Sequence, residues 1–322
     1  MKDSVTIVLD NGELVSAVCG PNDGNLKVLE RVLGGKLAVR GNEVRMEGLN
    51  DTDAERFRAV MDNLISAARL GELPSPEFVQ ALAGVAESER GEAVHHAEAI
   101  RSGCISIPRG FGKVFPRSAN QAAYVRGMRE ADVCFCAGPA GTGKTYLAIA
   151  NALSLVLSKK IRKLVMTRPV VEAGENLGFL PGDLAQKISP YLRPLYDAME
   201  ALIPYEIIRR MEENRVIEIA PLAYMRGRSL NDAFIILDEA QNTTKEQMKM
   251  FLTRLGHGSQ AVIAGDVTQV DLPKRVDSGL LHALSILKNV EGIHFSYLNT
   301  TDVVRNPLIK KIIQAYDYEK KQ

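Results

Sequence analysis

Gly138-Pro139-Ala140-Gly141-Thr142-Gly143-Lys144-Thr145 is the stretch that decides how this chain folds. It fits the pattern GxxxxGK[ST], and its surroundings agree with it. The apolar run Val133 to Ala137 reads as a strand before it, and Tyr146 to Leu157 reads as a helix after it. Gly141 and Gly143 allow the positive φ and close backbone approach that a phosphate-cradling turn needs. Such a turn aims its amides and the N-terminus of the following helix at a β-phosphate. Lys144 then acts as a point charge on the β- and γ-phosphate oxygens, and the Thr145 hydroxyl is a ligand for Mg2+. All eight residues are therefore expected to bind nucleotide, with ATP and Mg2+ as the cofactors.

Outward from this loop, strands alternate with helices. Leu164 to Met166, Val216 to Ile219, Ala233 to Leu237, Ala261 to Ala264 and Ile293 to Leu298 are short, nearly continuous apolar runs. Runs of that kind suit strands covered on both faces. The expected fold is α/β: a P-loop NTPase (RecA-like) parallel sheet with helices on both faces, over residues 106–322. Phe234-Ile-Ile-Leu-Asp238-Glu239 delivers two carboxylates at a strand's C-terminal end, where open α/β sheets bind ligands. Asp238 is expected to hold Mg2+ through its water shell, and Glu239 to orient and deprotonate an attacking water. The strand Ala261 to Ala264 runs into Gly265-Asp266-Val-Thr-Gln269, so Gln269 is a candidate contact to the γ-phosphate or to that water.

Upstream, residues 1–85 predict a small α+β domain. Val5, Ile7 and Leu9 alternate as in a strand, and Asn11-Gly12 reads as a turn. Leu26, Val28, Leu29, Val32 and Leu33 mark a helix ended by Gly34-Gly35. Two alternating stretches flank Gly41-Asn42 as a hairpin, and Thr52 with Glu55 reads as a capping box for the helix that follows. Ser75-Pro76 starts another helix. This order resembles KH-type RNA-binding modules, without the GxxG loop they carry between their helices. A small docking or oligomerisation domain is the alternative. Residues 86–105 are polar and charged and read as a linker, with room for an exposed helix.

The composition bounds the rest. With 322 residues, 46% hydrophobic and 25% charged, the chain makes one large globular domain or two ordinary ones. Forty basic and 39 acidic residues leave a net charge of +1, which excludes a globally basic nucleic-acid binder but not a local basic groove. The four cysteines make no CxxC pair, and Cys134 and Cys136 read as buried thiols in a reducing compartment. The five histidines show no metal-ligand spacing. No signal pattern and no apolar run of about 18 residues is present, so a cytoplasmic protein with no membrane partner is expected.

Taken together, GPAGTGKT, LDEAQN and AGDVTQVDLP, with TRPVVEAGENLGFLPG at 167–182 and MRGRSLNDA at 225–233, resemble the PhoH family of bacterial ATPases over about residues 110–310. That family is similar to the first motor domain of superfamily 1 RNA and DNA helicases. The resemblance implies that Gln121 reads the adenine edge, which would favour ATP over GTP. It implies that Thr167 and Arg168 lie where helicases touch the nucleic-acid backbone. Arg226 and Arg228 would face phosphate of a strand or of ATP, with surface salt bridges as the alternative. It also implies that Arg305 is an arginine finger, in cis or in trans, and that a YbeY-type endoribonuclease of ribosomal RNA maturation is a partner.

About 17 residues follow Arg305, too few for a second motor domain. Coupled work is then expected to need a homo-oligomer, with a hexameric ring as the expected form and Arg305 reaching across. Residues 172–196 carry Glu172, Gly174, Glu175, Gly178, Phe179, Tyr191, Arg193 and Tyr196, a set that suits base stacking on a single strand or plain core packing. Three functions compete: an ATP hydrolase acting on RNA as a remodelling or processing factor, an ATP-switched adaptor for an endoribonuclease, and a small-molecule kinase. The Asp-Glu pair disfavours the kinase.

Overall fold

The computed structural model describes residues 3–88, 93–169, 184–273 and 275–303. The chain forms two compact units, Met1–Ile105 with Lys113–Ala123, and Ser106–Gly112 with Tyr124–Gln322.

The first unit begins β1 (Asp3–Val8), α1 (Gly12–Cys19), α2 (Gly24–Leu33), β2 (Lys36–Arg40), β3 (Glu43–Leu49) and α3 (Asp51–Arg69). The strands pair antiparallel in the order β1-β3-β2, and Gly41 turns the β2–β3 hairpin with φ +61. Asn11-Gly12, expected as a turn, is instead the start of α1: the Asn11 side chain accepts from the Leu14 N–H at 2.8 Å. Leu14 and Val18 then share a buried face, which turns a short polar stretch into a helix. The capping box expected at Thr52 and Glu55 also moves. Asn50 leaves β3 with extended backbone, accepts from the Asp53 N–H at 2.8 Å, and starts α3 two residues earlier. Gly34 ends α2 in the left-handed region at φ +72, as the Gly-Gly pair predicts.

α4 (Pro76–Ser88) follows, and α5 (Ala93–Ser102) lies inside the stretch expected as a linker. Ile100 of α5 is fully buried in the same core as Phe57, Leu64, Val79 and Leu82. The Arg101 guanidinium also covers the Phe78 ring at 5.9 Å. Two short strands, β4 (Ile105–Ile107) and β5 (Gly112–Val114), and α6 (Ala119–Glu130) lead on.

The second unit runs β6 (Val133–Ala137), α7 (Lys144–Leu157), β7 (Lys163–Arg168), α8 (Leu184–Glu200), α9 (Tyr205–Glu213), β8 (Ile217–Pro221), β9 (Ala233–Leu237), α10 (Lys245–Leu252), β10 (Gln260–Gly265), α11 (Gly279–Ile286) and β11 (Ile293–Tyr297). The strand order is β11-β6-β10-β9-β7-β8, and every neighbouring pair is parallel. Every residue of β9 is buried, as are the inner residues of β6, β7 and β10, because helices cover both faces. Phe135 of β6 stacks on Phe295 of the edge strand β11 at 5.2 Å. Cys134 and Cys136 are free and buried, and burial pushes the Cys134 thiol up to about 12. Among the described residues no helix is long and apolar enough to cross a membrane.

This order places the phosphate-loop strand β6 beside β10, then β9 beyond β10, then β7. The C-terminal ends of these four strands therefore deliver Gly138, Asp266, Asp238 and Arg168 to one edge of the sheet.

Candidate active site

The loop after β6 is built by packing as much as by φ. The Gly138 N–H donates to the Gly265 carbonyl at 3.1 Å, tying the loop to the end of β10. A Cβ on Gly138 would lie 2.7 Å from the Leu298 carbonyl oxygen, so this first glycine serves close approach. Gly141 and Gly143 both adopt φ +80, the conformation their sequence positions require. Gly143 caps α7, and Lys144 is its first residue. The Lys144 Nζ donates to the Gly138 carbonyl at 2.7 Å and to the Pro139 carbonyl at 2.8 Å, and the Thr142 hydroxyl donates to the Pro139 carbonyl at 2.8 Å. The Tyr124 hydroxyl, pushed well above its usual range by burial and so a neutral donor, holds the Lys144 carbonyl at 3.1 Å. From β10, the Asp266 carboxylate accepts from the Ala140 N–H at 3.0 Å and also from the Thr268 N–H and hydroxyl at 2.9 and 2.7 Å. Asp266 thus clamps the apex of the phosphate loop.

The acidic pair faces this loop. The Thr145 hydroxyl donates to Asp238 Oδ1 at 2.6 Å. The Asp238 N–H donates to the Thr167 carbonyl at 2.9 Å, which fixes the end of β9 against β7. Burial pushes the Asp238 carboxyl above the usual carboxylate range, against the opposing pull of the Arg168 guanidinium. Arg168 lies between both acids, with Nε 3.3 Å from Asp238 Oδ2 and Nη2 2.7 Å from Glu239 Oε1. Its Nη1 donates to the Tyr191 carbonyl at 2.9 Å. Glu239 adopts the left-handed φ of +52, a strained choice for a residue with a Cβ, and so turns the chain sharply after the strand. Gln241 completes the set. Its Nε2 donates to Glu239 Oε2 at 2.6 Å and to the Gln269 carbonyl at 3.2 Å, and its Oε1 accepts from the Asp266 N–H at 3.0 Å. The cleft so formed has a volume of about 300 Å3, and Lys144, Thr145, Arg168, Glu239, Asp266 and Gln269 are among its lining residues.

The structure places the other candidate residues as follows. Thr167 is fully buried and its hydroxyl has no hydrogen-bond partner among the described residues, so it presents no surface to a strand. Arg168 binds the two acids where a backbone contact was expected. Arg228 does not line the cleft: it grips Glu218 through two hydrogen bonds of 2.5 and 2.9 Å, and Lys163 joins the same carboxylate. This triad sits toward the starting ends of β7 and β8. Arg226 is exposed at the end of the turn Leu222–Met225 and is not among the cleft's lining residues. Gln121 belongs to the first unit, is 3% exposed, and accepts from the Arg117 N–H at 2.6 Å. Arg305, and the 172–183 part of the aromatic and glycine-containing insertion, lie outside the described residues.

Gln241 and Asp266 had no assigned role in the sequence. Both sit inside quoted motifs, one as the Gln of LDEAQN and the other as the Asp of AGDVTQ. Motif position was the available signal. What they touch depends on β9 and β10 being neighbours, which no local pattern states.

A glycine-lined phosphate loop opening a helix, a hydroxyl–carboxylate pair beside it and a parallel sheet behind it define a P-loop nucleotide-binding ATPase. The comparisons narrow the class. The family model described as PhoH-like protein matches residues 113–317, and the chain belongs to the PhoH family. It is 47% identical over 304 residues to a PhoH-like protein of Mycobacterium tuberculosis (strain ATCC 25618 / H37Rv), covering 94% of this chain and 85% of that one. It is 45% identical over 313 residues to a PhoH-like protein of Bacillus subtilis (strain 168), covering 96% of each. Protein PhoH of Escherichia coli (strain K12) is 41% identical over 211 residues, covering 65% of this chain and 59% of its own length.

Proposed function

We propose that this protein is a magnesium-dependent ATP hydrolase acting on RNA, as a helicase-like remodelling or ribosomal RNA processing factor. The observation that carries the hydrolase reading is the 2.6 Å hydrogen bond from Thr145 to Asp238 with Glu239 next in the chain, all within one cleft. In this reading Lys144 exchanges its bonds to the Gly138 and Pro139 carbonyls for β- and γ-phosphate oxygens. The loop amides and the start of α7 hold the β-phosphate. Gln269, on the cleft wall, positions the γ-phosphate or the attacking water. Glu239 takes the proton of that water.

The residues present fit a magnesium ion. Thr145 Oγ1 and Asp238 Oδ1 are hard oxygen donors on one side of the cleft, and among the described residues no cluster of three acidic, His or Cys groups would hold an ion alone. A site of that kind takes its remaining ligands from nucleotide and water, and when bound the ion neutralises charge on the transferring phosphoryl group.

The resemblance of the motifs to those of the first motor domain of superfamily 1 helicases supports the RNA substrate. So does the order β-α-α-β-β-α around an antiparallel sheet in the first unit, which suits a KH-like module, although α1 and α2 are joined by Gly20-Pro21-Asn22-Asp23 and not by GxxG. The proposal extends to a cytoplasmic homo-oligomer, to Arg305 as its arginine finger, and to a YbeY-type endoribonuclease as partner.

Glu239→Gln tests the chemistry. Nucleotide affinity is expected to stay and phosphate release to fall by about 10²-fold or more. Unchanged phosphate release would overturn the assignment of the base. The RNA reading is tested by the ATPase rate with and without single-stranded RNA at several salt concentrations. Stimulation that fades with salt is expected, because phosphate contacts release counterions.

A further inference from the structure

We propose that Arg168 is the positioning residue for Glu239, holding its carboxylate on the β7 side of the cleft, so that hydrolysis requires the Arg168–Glu239 pair to part. This rests on the reading of Glu239 as the base.

The argument is topological first. The strand order reads β6-β10-β9-β7 across the centre of the sheet. Glu239 leaves the end of β9, so the phosphate loop lies on its β10 side and Arg168 on its β7 side. The 2.7 Å contact to Arg168 therefore holds Oε1 on the β7 side of the cleft that both residues share with Lys144. The opposite oxygen, Oε2, is taken by Gln241 at 2.6 Å, and Gln241 is itself bonded to Asp266 and Gln269 at the end of β10. The base is thus held between two side-chain donors, one on each oxygen.

Arg168 is well anchored for this task. Its side chain is 16% exposed, and all three guanidinium nitrogens are used, on Asp238, Glu239 and the Tyr191 carbonyl. A planar fork spans two carboxylates in a way that an ammonium cannot. The Glu239 side chain, by contrast, is 39% exposed, so water reaches it and the contact is one that solvent can open. Once released by Arg168, Glu239 keeps its tether to Gln241, which is bonded to Gln269 on the wall of the cleft that also holds Lys144.

The test compares steady-state ATP hydrolysis by the full chain for wild type, Arg168→Gln, Arg168→Lys, Glu239→Gln and the double variant Arg168→Gln with Glu239→Gln. Arg168→Gln is expected to raise kcat about fivefold, the upper end for a solvent-accessible ion pair. The double variant is expected to be as inactive as Glu239→Gln, showing that the gain passes through Glu239. Arg168→Lys, which keeps the charge but loses the fork, should lie between wild type and Arg168→Gln. A residue with a merely structural role would lower kcat when replaced. A fall or no change in kcat in folded Arg168→Gln overturns the proposal; should that variant not fold, no gain in Arg168→Lys does the same. A dead Glu239→Gln beside an unaccelerated Arg168→Gln defeats this proposal alone. A fully active Glu239→Gln defeats it together with the assignment of the base.

Discussion

Replacing Asp266 by Asn changes one atom at the clamp of the phosphate loop, and the structure fixes what that atom meets. Asp266 is 4% exposed, and its two oxygens divide three donors between them. Oδ1 takes the Thr268 N–H and hydroxyl, and Oδ2 takes the Ala140 N–H. In the Asn variant the amide oxygen can keep both Thr268 bonds, which leaves the amide nitrogen facing the Ala140 N–H, donor against donor. The reverse orientation sets it against the Thr268 N–H instead. Either way one backbone donor loses a charge-assisted bond in a nearly dry site, a loss of about 1.5–3 kcal/mol. For a unit of about 200 residues, about 2 kcal/mol lowers Tm by about 4–8 °C. Because Ala140 stands at the apex of the loop, the free loop becomes less ordered and nucleotide affinity is expected to fall about tenfold. Thermal unfolding followed by circular dichroism gives the first quantity, and titration with a fluorescent ATP analogue gives the second. A Tm within about 1 °C of wild type together with unchanged affinity would refute the claim that Asp266 clamps the loop.

Gly265→Ala should destabilise the second unit by about 1–3 kcal/mol and slow ATP turnover, since the added Cβ would sit 2.5 Å from Leu280 Cδ2 and 2.8 Å from Gln241 Oε1. Denaturant unfolding and phosphate release check both halves. The Glu218 triad makes a pH prediction. Hydrogen bonds from Arg228 foremost, and the charge of Lys163, hold the Glu218 carboxyl at about 2. Its unfolded value is about 4.3, so this stabilisation is complete above that pH and is lost as pH falls toward the folded value. With the carboxylate partly solvent-exposed, we expect about 1–2 kcal/mol. The loss of Tm between about pH 4.5 and 2 should be shallower in Glu218→Gln than in wild type; parallel curves would show that the triad contributes nothing.

The restraint on Glu239 bears on how such a site is regulated. A base already aimed at the γ-phosphate would hydrolyse whenever ATP bound. Under the role proposed for Glu239, its ties to Arg168 on one side and Gln241 on the other make turnover depend on a rearrangement at this end of the sheet.

The sequence by itself determined the phosphate loop, the strands behind it and the acidic pair. These are local facts: a glycine that must take positive φ, an apolar run short enough for a strand, and two acids at its end. It also carried every residue of the Asp266 clamp and of the Arg168–Glu239 pair, but not their partners. That Asp266 meets Ala140, 126 residues away, follows from β10 lying beside β6. That Arg168 meets Glu239 follows from β7 lying beside β9. Arg228 shows the same limit from the other direction, since its partner Glu218 is only ten residues away yet sits on a strand whose place in the sheet is set by β7. Side-chain periodicity reports which face of an element is buried; the neighbour across that face is chosen by the sheet's crossovers, which only the tertiary structure decides.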